Sequence, residues 1–345
     1  MPLMSRTLRL STAIACLFIP RTTLAQSNVI KPSNYSNWFP VTSFPEAQKD
    51  NLSYWQAEAQ TLAGADLWAD YQQRCINNGQ KYPEIGSAAQ IDGFVEPGRP
   101  FDSLFFVGAS SVSSWAIDTG DGLILIDSMW NPGDAEKVII PGLEAFGYNG
   151  SSVKALLISH EHVDHFGGAK YLQETYNIPA YASQQCWDTM STIEGTPAKQ
   201  HVVRDGDELT IGNTTISIVH TPGHTPGTIS FLVPVYDRGV RYLAGIYGGG
   251  GVPTAVDAKN NQIQSFQKFQ KISRDAGVDV LLGTHQAQDH TLQYLDVLNN
   301  RKCDGLKCSL PNPYIVGNER YVRWLRVMEM CVRIHAARTN QFLSV

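Results

Sequence analysis

The run His160-Glu161-His162-Val163-Asp164-His165 places four side chains that bind divalent metals within six residues, directly after the apolar stretch Val153 to Ser159 and closed by Gly167-Gly168. Imidazoles and carboxylates gathered at the mouth of a strand cost free energy unless they are paired or metal-bound, so this density points to a metal. Positions two apart diverge on a helix. In a turning loop, His160 and His162 can instead converge on one ion while Asp164 and His165 face another. Two further histidines stand at strand exits. His224 lies in Thr221-Pro222-Gly223-His224-Thr225-Pro226-Gly227-Thr228, where prolines and glycines stiffen the loop, and His285 follows the apolar run Val278 to Leu282 through Gly283-Thr284. The donors match what zinc takes at a catalytic site, about three protein ligands and a water. His201, His220, His290 and His335 are not placed in this way and read as structural or surface residues, with His290 the nearest rival of His285.

The elements that must position these residues are read from hydrophobic period and turn chemistry. Strand-like runs cover Leu104 to Val107, Ser114 to Asp118 and Leu123 to Asp127, with Asp121-Gly122 as a tight hairpin turn. A helical pattern from Ala135 to Phe146 precedes the strand Val153 to Ser159, and another runs from Gly168 to Tyr176 after the histidine cluster. Strands return at Ala180 to Ala182, Glu208 to Ile211, Thr215 to His220, Thr228 to Val233 and Arg241 to Ile246, followed by a helix from Gln264 to Ala276 and the run Val278 to Leu282. Strands and helices thus alternate in two loosely similar halves, which implies layered α/β architecture. Ahead of this core, Trp55, Ala59, Leu62, Leu67 and Tyr71 fit an N-terminal helical extension broken near Gly64; behind it, Glu319 to Arg338 reads as a docked amphipathic helix. Gly248-Gly249-Gly250-Gly251 lacks the Lys-Ser/Thr of a phosphate loop and reads as a flexible loop. Trp115, Trp130 and Tyr247 are available to line a pocket but read first as packing.

The chain has 345 residues, 43% hydrophobic and 17% charged, enough for one sizeable core with appendages. A net charge of -5 without a basic run offers no footprint for nucleic acid and favours a small-molecule substrate. Residues 1–25 read as a signal peptide: Arg6 and Arg9 form the basic region, Leu10 to Ile19 is apolar, and Thr23-Leu24-Ala25 resembles a cleavage site. The apolar run is half the roughly 20 residues that span a bilayer, so no stable membrane span is expected and the protein is expected to be secreted, extracellular or periplasmic. Four sequons, at Asn34, Asn51, Asn149 and Asn213, lean weakly toward a eukaryotic secretory route. Five cysteines remain after cleavage, so at least one stays free or pairs between chains, and Cys303 and Cys308 are placed to close a small loop. The remaining divisions are 26–100 for the extension, 101–300 for the core domain and 301–345 for the helical tail, in a protein expected to be a monomer.

The run Ser159 to Gly168, the turn Pro222-Gly223-His224-Thr225-Pro226-Gly227 and Gly283-Thr284-His285 resemble, in order, the successive metal motifs of the metallo-β-lactamase superfamily. Asp127, closing Leu123-Ile124-Leu125-Ile126, matches that family's strand-end aspartate behind the metal loop. The resemblance spans about Phe101 to Leu298 and implies a four-layer αβ/βα sandwich holding two zincs. His160, His162 and His224 would bind the first, and Asp164, His165 and His285 the second. An all-histidine first site is most like the third subclass of metallo-β-lactamases. Lactonases, glyoxalase II and the nuclease branch resemble the pattern too, but they add a bridging aspartate where this chain has Ile246. The serines with which the third subclass holds the β-lactam carboxylate are not evident. The resemblance implies a zinc hydrolase in which a shared water, its pKa lowered towards about 7, attacks the carbonyl of a cyclic amide while Asp164 orients it; a lactone, ester or thioester is the alternative. A centre of about +2 net charge suits a substrate bearing a carboxylate.

Overall fold

The computed structural model describes residues 35–345, so the signal peptide expected at 1–25 lies outside the described residues. Twelve strands build the two main sheets. The first holds β1 (Gly98–Phe101), β2 (Leu104–Phe106), β3 (Trp115–Asp118), β4 (Leu123–Ile126), β5 (Val153–Leu157), β6 (Ala180–Ser183) and β7 (His201–Val203) in that spatial order. The second runs β12 (Val280–Gly283), β11 (Val240–Tyr247), β10 (Ile229–Asp237), β9 (Thr214–His220), β8 (Glu208–Ile211). The expected hairpin joins β3 to β4 antiparallel. From β4 onwards the first sheet is parallel, each crossover carrying helix. Helix Ala169–Tyr176 ends where Asn177 turns left-handed at φ 57°, a conformation asparagine tolerates.

Three apolar cores separate four layers. In β4, Ile124 and Ile126 point between the sheets, where they meet Phe231, Val233, Ile246 and Leu282 of the second sheet. Leu123 and Leu125 point the other way, onto Ile139, Leu143, Phe166 and Leu172. A strand buried on both faces must be apolar at every position, as Leu-Ile-Leu-Ile is. The outer face of the second sheet, with Val219, Leu232 and Leu281, is covered by Phe266 and Phe269 of helix Val256–Ala276 and by Trp324, Leu325 and Val332 of helix Asn318–Arg338. The architecture is the αβ/βα sandwich that the motifs imply.

The appendages share that third core. Helix Lys49–Ala63 ends at Gly64, as the sequence indicates, and buries Ala59 and Ala63 against the C-terminal helix. Cys75 is bonded to Cys331, which staples the extension to the tail across 256 residues, while Cys303 pairs with Cys308 as expected and Cys186 stays free and buried. Other details differ from expectation. Helix Val256–Ala276 begins eight residues ahead of Gln264, because its first turns bury Lys259, Asn260 and Gln262, a polar inner face that hydrophobic period cannot detect. Helices Gln184–Met190 and Thr291–Asn299 and strands β1 and β7 are short elements that the period also misses.

In a chain-entropy model, closing the loop of 256 residues stabilises the fold by about 5 kcal/mol, against about 2 kcal/mol for the five-residue Cys303–Cys308 loop. Cys75→Ser is therefore expected to lower the midpoint of denaturant unfolding well below that of Cys303→Ser. Equal midpoints would show that the long staple leaves stability unchanged.

Candidate metal centre

Parallel pairing of β4 with β5 brings their carboxyl ends together, so Asp127 and the loop after Ser159 leave the sheet side by side. Asp127 sits at φ 61°, fully buried, with its carboxylate turned across that gap. It accepts hydrogen bonds from the Ser159 amide (2.7 Å), the Ser159 hydroxyl (2.7 Å) and Nδ1 of His165 (2.7 Å). The second sheet is stitched to the same edge: the Ile229 amide donates to Ser159 O (2.8 Å), the Ser113 amide to Thr284 O (2.9 Å), and Trp115 Nε1 to Gly283 O (2.8 Å). Trp115 thus anchors the strand that leads to His285, and Tyr247 is buried in a stack on Phe266, so both are packing residues. Trp130 lines a cavity of about 430 Å³ with Val163, Phe166 and Tyr171, and none of the six candidate ligands lines that cavity.

The six residues nominated by sequence converge in two groups, His160 with His162 and His224, and Asp164 with His165 and His285, the donor atoms of each group lying within 4.8 Å of one another. His290 is excluded from the second group: its Nε2 turns to Asp70, at 3.2 Å. His201 stacks on Tyr181, and His220 bonds Pro226 O. His160 and His165 are fully buried and form the floor, whereas His162 is exposed and marks the open side.

Second-layer hydrogen bonds aim the rings. Nδ1 of His224 bonds Gly251 O (2.8 Å) and Nδ1 of His285 bonds Ser111 O (3.0 Å). A carbonyl only accepts, so both Nδ1 atoms carry the proton and both Nε2 lone pairs face inward. Nδ1 of His160 meets the Ser159 hydroxyl at 3.0 Å, while its buried Nε2 has no hydrogen-bond partner. A cation fits that orphaned nitrogen. Burial holds His160 well below the ordinary imidazole pKa and brings His224 to about 3 and His285 to about 4, so their lone pairs are free of competing protons. His165 differs. Burial disfavours its charge, but Asp127 and Asp164 flank it and push its pKa up to about 10. Its Nε2 lies 3.1 Å from Nε2 of His285 and 3.4 Å from Asp164 Oδ2, which is 3.5 Å from His285 Nε2, an arrangement in which a dication can take the proton's place. Burial also opposes the Asp164 charge, but the His165 hydrogen bond and charge outweigh it and hold the carboxylate ionised.

Several positioning residues escape the sequence. Glu161, in the opposite phase to the histidines beside it, is buried and accepts from Thr225 Oγ1 (2.8 Å) and the Gly227 amide (3.0 Å), clamping the loop that bears His224. Asp289 accepts from the amides of Gly283 (2.7 Å) and Thr291 (3.0 Å), fixing the approach to His285, and burial pushes its pKa up to about 7. The run Gly248 to Gly251 corrects its reading as a flexible loop. All four carbonyls are engaged, by Thr284 Oγ1, Gln262 Nε2, Arg74 Nη2, and Gln262 Nε2 with His224 Nδ1. A Cβ at Gly251 would lie 2.5 Å from His224 Cε1 and one at Gly249 2.8 Å from His224 Cβ, so these two glycines let the backbone approach that histidine.

Asp127→Asn replaces one acceptor by an amide NH2. The expected result is a fall in zinc affinity of about 10–100-fold, measured by chelator competition, with the far-ultraviolet dichroism unchanged. Wild-type affinity in the variant would contradict the orienting role.

Residues 107–237 match the family model described as the metallo-beta-lactamase superfamily. Curated relatives include hydroxyacylglutathione hydrolases of Idiomarina loihiensis, 30% identical over 48% of this chain and 58% of theirs, and of Klebsiella pneumoniae, 31% identical over 46% and 55%. The matched stretch therefore spans little more than half of those relatives. Among solved structures, the subclass B3 metallo-β-lactamase BJP-1 of Bradyrhizobium japonicum is similar with a TM-score of 0.56 at 25% identity, covering 68% of this chain and 91% of that one. FEZ-1 of Legionella gormanii shares the fold with a TM-score of 0.57 at 22% identity over 68% and 93%. With the sandwich, the family match and these neighbours in agreement, the chain carries a metallo-β-lactamase superfamily domain.

Proposed function

We propose that this protein is a two-zinc hydrolase that opens a cyclic amide of the β-lactam kind in a carboxylate-bearing small molecule. The observation that carries the reading is the pair of donor groups, His160, His162 and His224 beside Asp164, His165 and His285, each with the three protein ligands typical of a catalytic zinc. Zinc held there supplies a Lewis acid for the carbonyl oxygen and lowers the pKa of a water towards about 7. The protein's own part is orientation. Nδ1 bonds keep His224 and His285 as neutral donors, and Asp164 offers an oxygen at the second group to accept a hydrogen bond from the attacking water. His160 and His165 close the floor, so substrate enters on the His162 side.

Thioester hydrolysis is the second reading, favoured by the likeness to hydroxyacylglutathione hydrolases. Ile246 weighs against it: fully buried between the sheets, it stands where the resemblance puts a bridging carboxylate in those branches. A substrate panel on the zinc-loaded protein separates the two. The expected outcome is faster turnover of a chromogenic lactam than of a lactone or an acyl-glutathione thioester, with a loss of more than about 100-fold in His162→Ala. Preference for the thioester would install the second reading, and indifference to His162→Ala would end both. We also read the protein as exported. The two disulfides support an oxidising compartment, and the intact mass of the secreted protein should correspond to a chain starting at Gln26.

A further inference from the structure

The extension that packs on the C-terminal helix sends one cation to the rim of the metal centre. Arg74 lies next to Cys75 in the helical turns Gln72–Ile76, so the Cys75–Cys331 bond fixes the segment that carries it. Its Nη2 donates to Gly250 O at 2.7 Å, and the neighbouring Gly251 O is the acceptor for Nδ1 of His224. One short stretch of backbone therefore joins Arg74 to a ligand of the first group. Gln288 reaches the same spot: a Cβ at Gly250 would lie 2.7 Å from Gln288 Nε2 and 3.1 Å from Arg74 Nη2.

Arg74 is a cation with no ion-pair partner among the described residues. A guanidinium carries five N–H donors, and the side-chain hydrogen bond of Arg74 goes to a neutral carbonyl. Asp70, whose charge supports it without an ion pair, has its Oδ1 on His290 Nε2 and Trp324 Nε1. Its surroundings desolvate it, yet it keeps partial exposure. A desolvated charge left unpaired is costly, and a metal centre of the same sign beside it raises the cost further. An anion bridging the gap would relieve both, and a guanidinium fork binds a carboxylate with two parallel hydrogen bonds.

We propose that Arg74, with Gln288 beside it, is the substrate-carboxylate anchor of this site, a specificity residue supplied by the N-terminal extension rather than by the sandwich. The assignment rests on the hydrolase reading for its catalytic consequence but not for its binding consequence, and two measurements keep them apart. In the first, calorimetry on zinc-loaded protein compares phenylacetate with its neutral amide. Arg74→Gln should weaken phenylacetate about tenfold or more while the amide changes by less than about threefold, and Arg74→Lys should fall between. Undiminished phenylacetate binding in Arg74→Gln would mean that the metals hold the carboxylate, and would overturn the proposal. In the second, a chromogenic cephalosporin-type lactam is compared with its methyl ester. The drop in kcat/KM caused by Arg74→Gln should be about tenfold larger for the free acid than for the ester, and Arg74→Lys should recover part of it. Equal drops for acid and ester would reduce Arg74 to a brace for the glycine loop. If wild type turns over neither lactam, the lactamase reading fails, and the calorimetry alone decides the anchor.

Discussion

The carboxylate of Asp127 is the constraint on which the centre depends. It is buried between the ends of two adjacent parallel strands, and a charge in that position is tolerable only because three donors meet it, two from Ser159 and one from His165. Each bond does a second job. The Ser159 amide fixes where the histidine loop leaves β5; the Ser159 hydroxyl relays the same acceptor to His160; and Nδ1 of His165 fixes the tautomer of a ligand in the other group. One carboxylate thus sets the geometry of both groups. The left-handed backbone at Asp127 is what turns the side chain inward, a strained conformation held by the packing of the strands on either side.

The other ligand loops follow the same rule of being held from behind. Glu161 clamps the loop of His224, Asp289 and Trp115 hold the approach to His285, and the glycine run presses against the ring of His224 with its carbonyls committed. Ligands on loops commonly trade precision for freedom. Here a ring of hydrogen bonds from both sheets removes that freedom, leaving His162 as the exposed member of the set.

The ligands were legible in the sequence because what identifies them is local: metal-binding side chains placed just beyond apolar strands. The layered α/β architecture was legible for the same reason, since Leu123 to Ile126 is too apolar for any place but the interior, whereas the four-layer sandwich was implied by the family resemblance. What stayed hidden depends on pairing over distance. Glu161 meets a partner 64 residues away, Arg74 one 176 away, and Cys75 one 256 away, and nothing near these residues signals the partner. The start of helix Val256–Ala276 was hidden by a different cause. Its first turns bury polar side chains, and one of them, Gln262, holds the glycine loop, so the chain there does not follow the hydrophobic pattern.

The third core is assembled from both ends of the chain, from Ala59 and Leu67 at one side and Trp324 and Val332 at the other. In chain order the second sheet is complete at β12, when helix Val256–Ala276 is already behind it and helix Asn318–Arg338 is not. The apolar face formed by Val219, Leu232 and Leu281 is then covered by Phe266 and Phe269 but not by Trp324, Leu325 and Val332, and the extension lacks the helix on which Ala59 and Ala63 pack. Loss of helix Asn318–Arg338 would therefore expose apolar surface on the sheet and on the extension together.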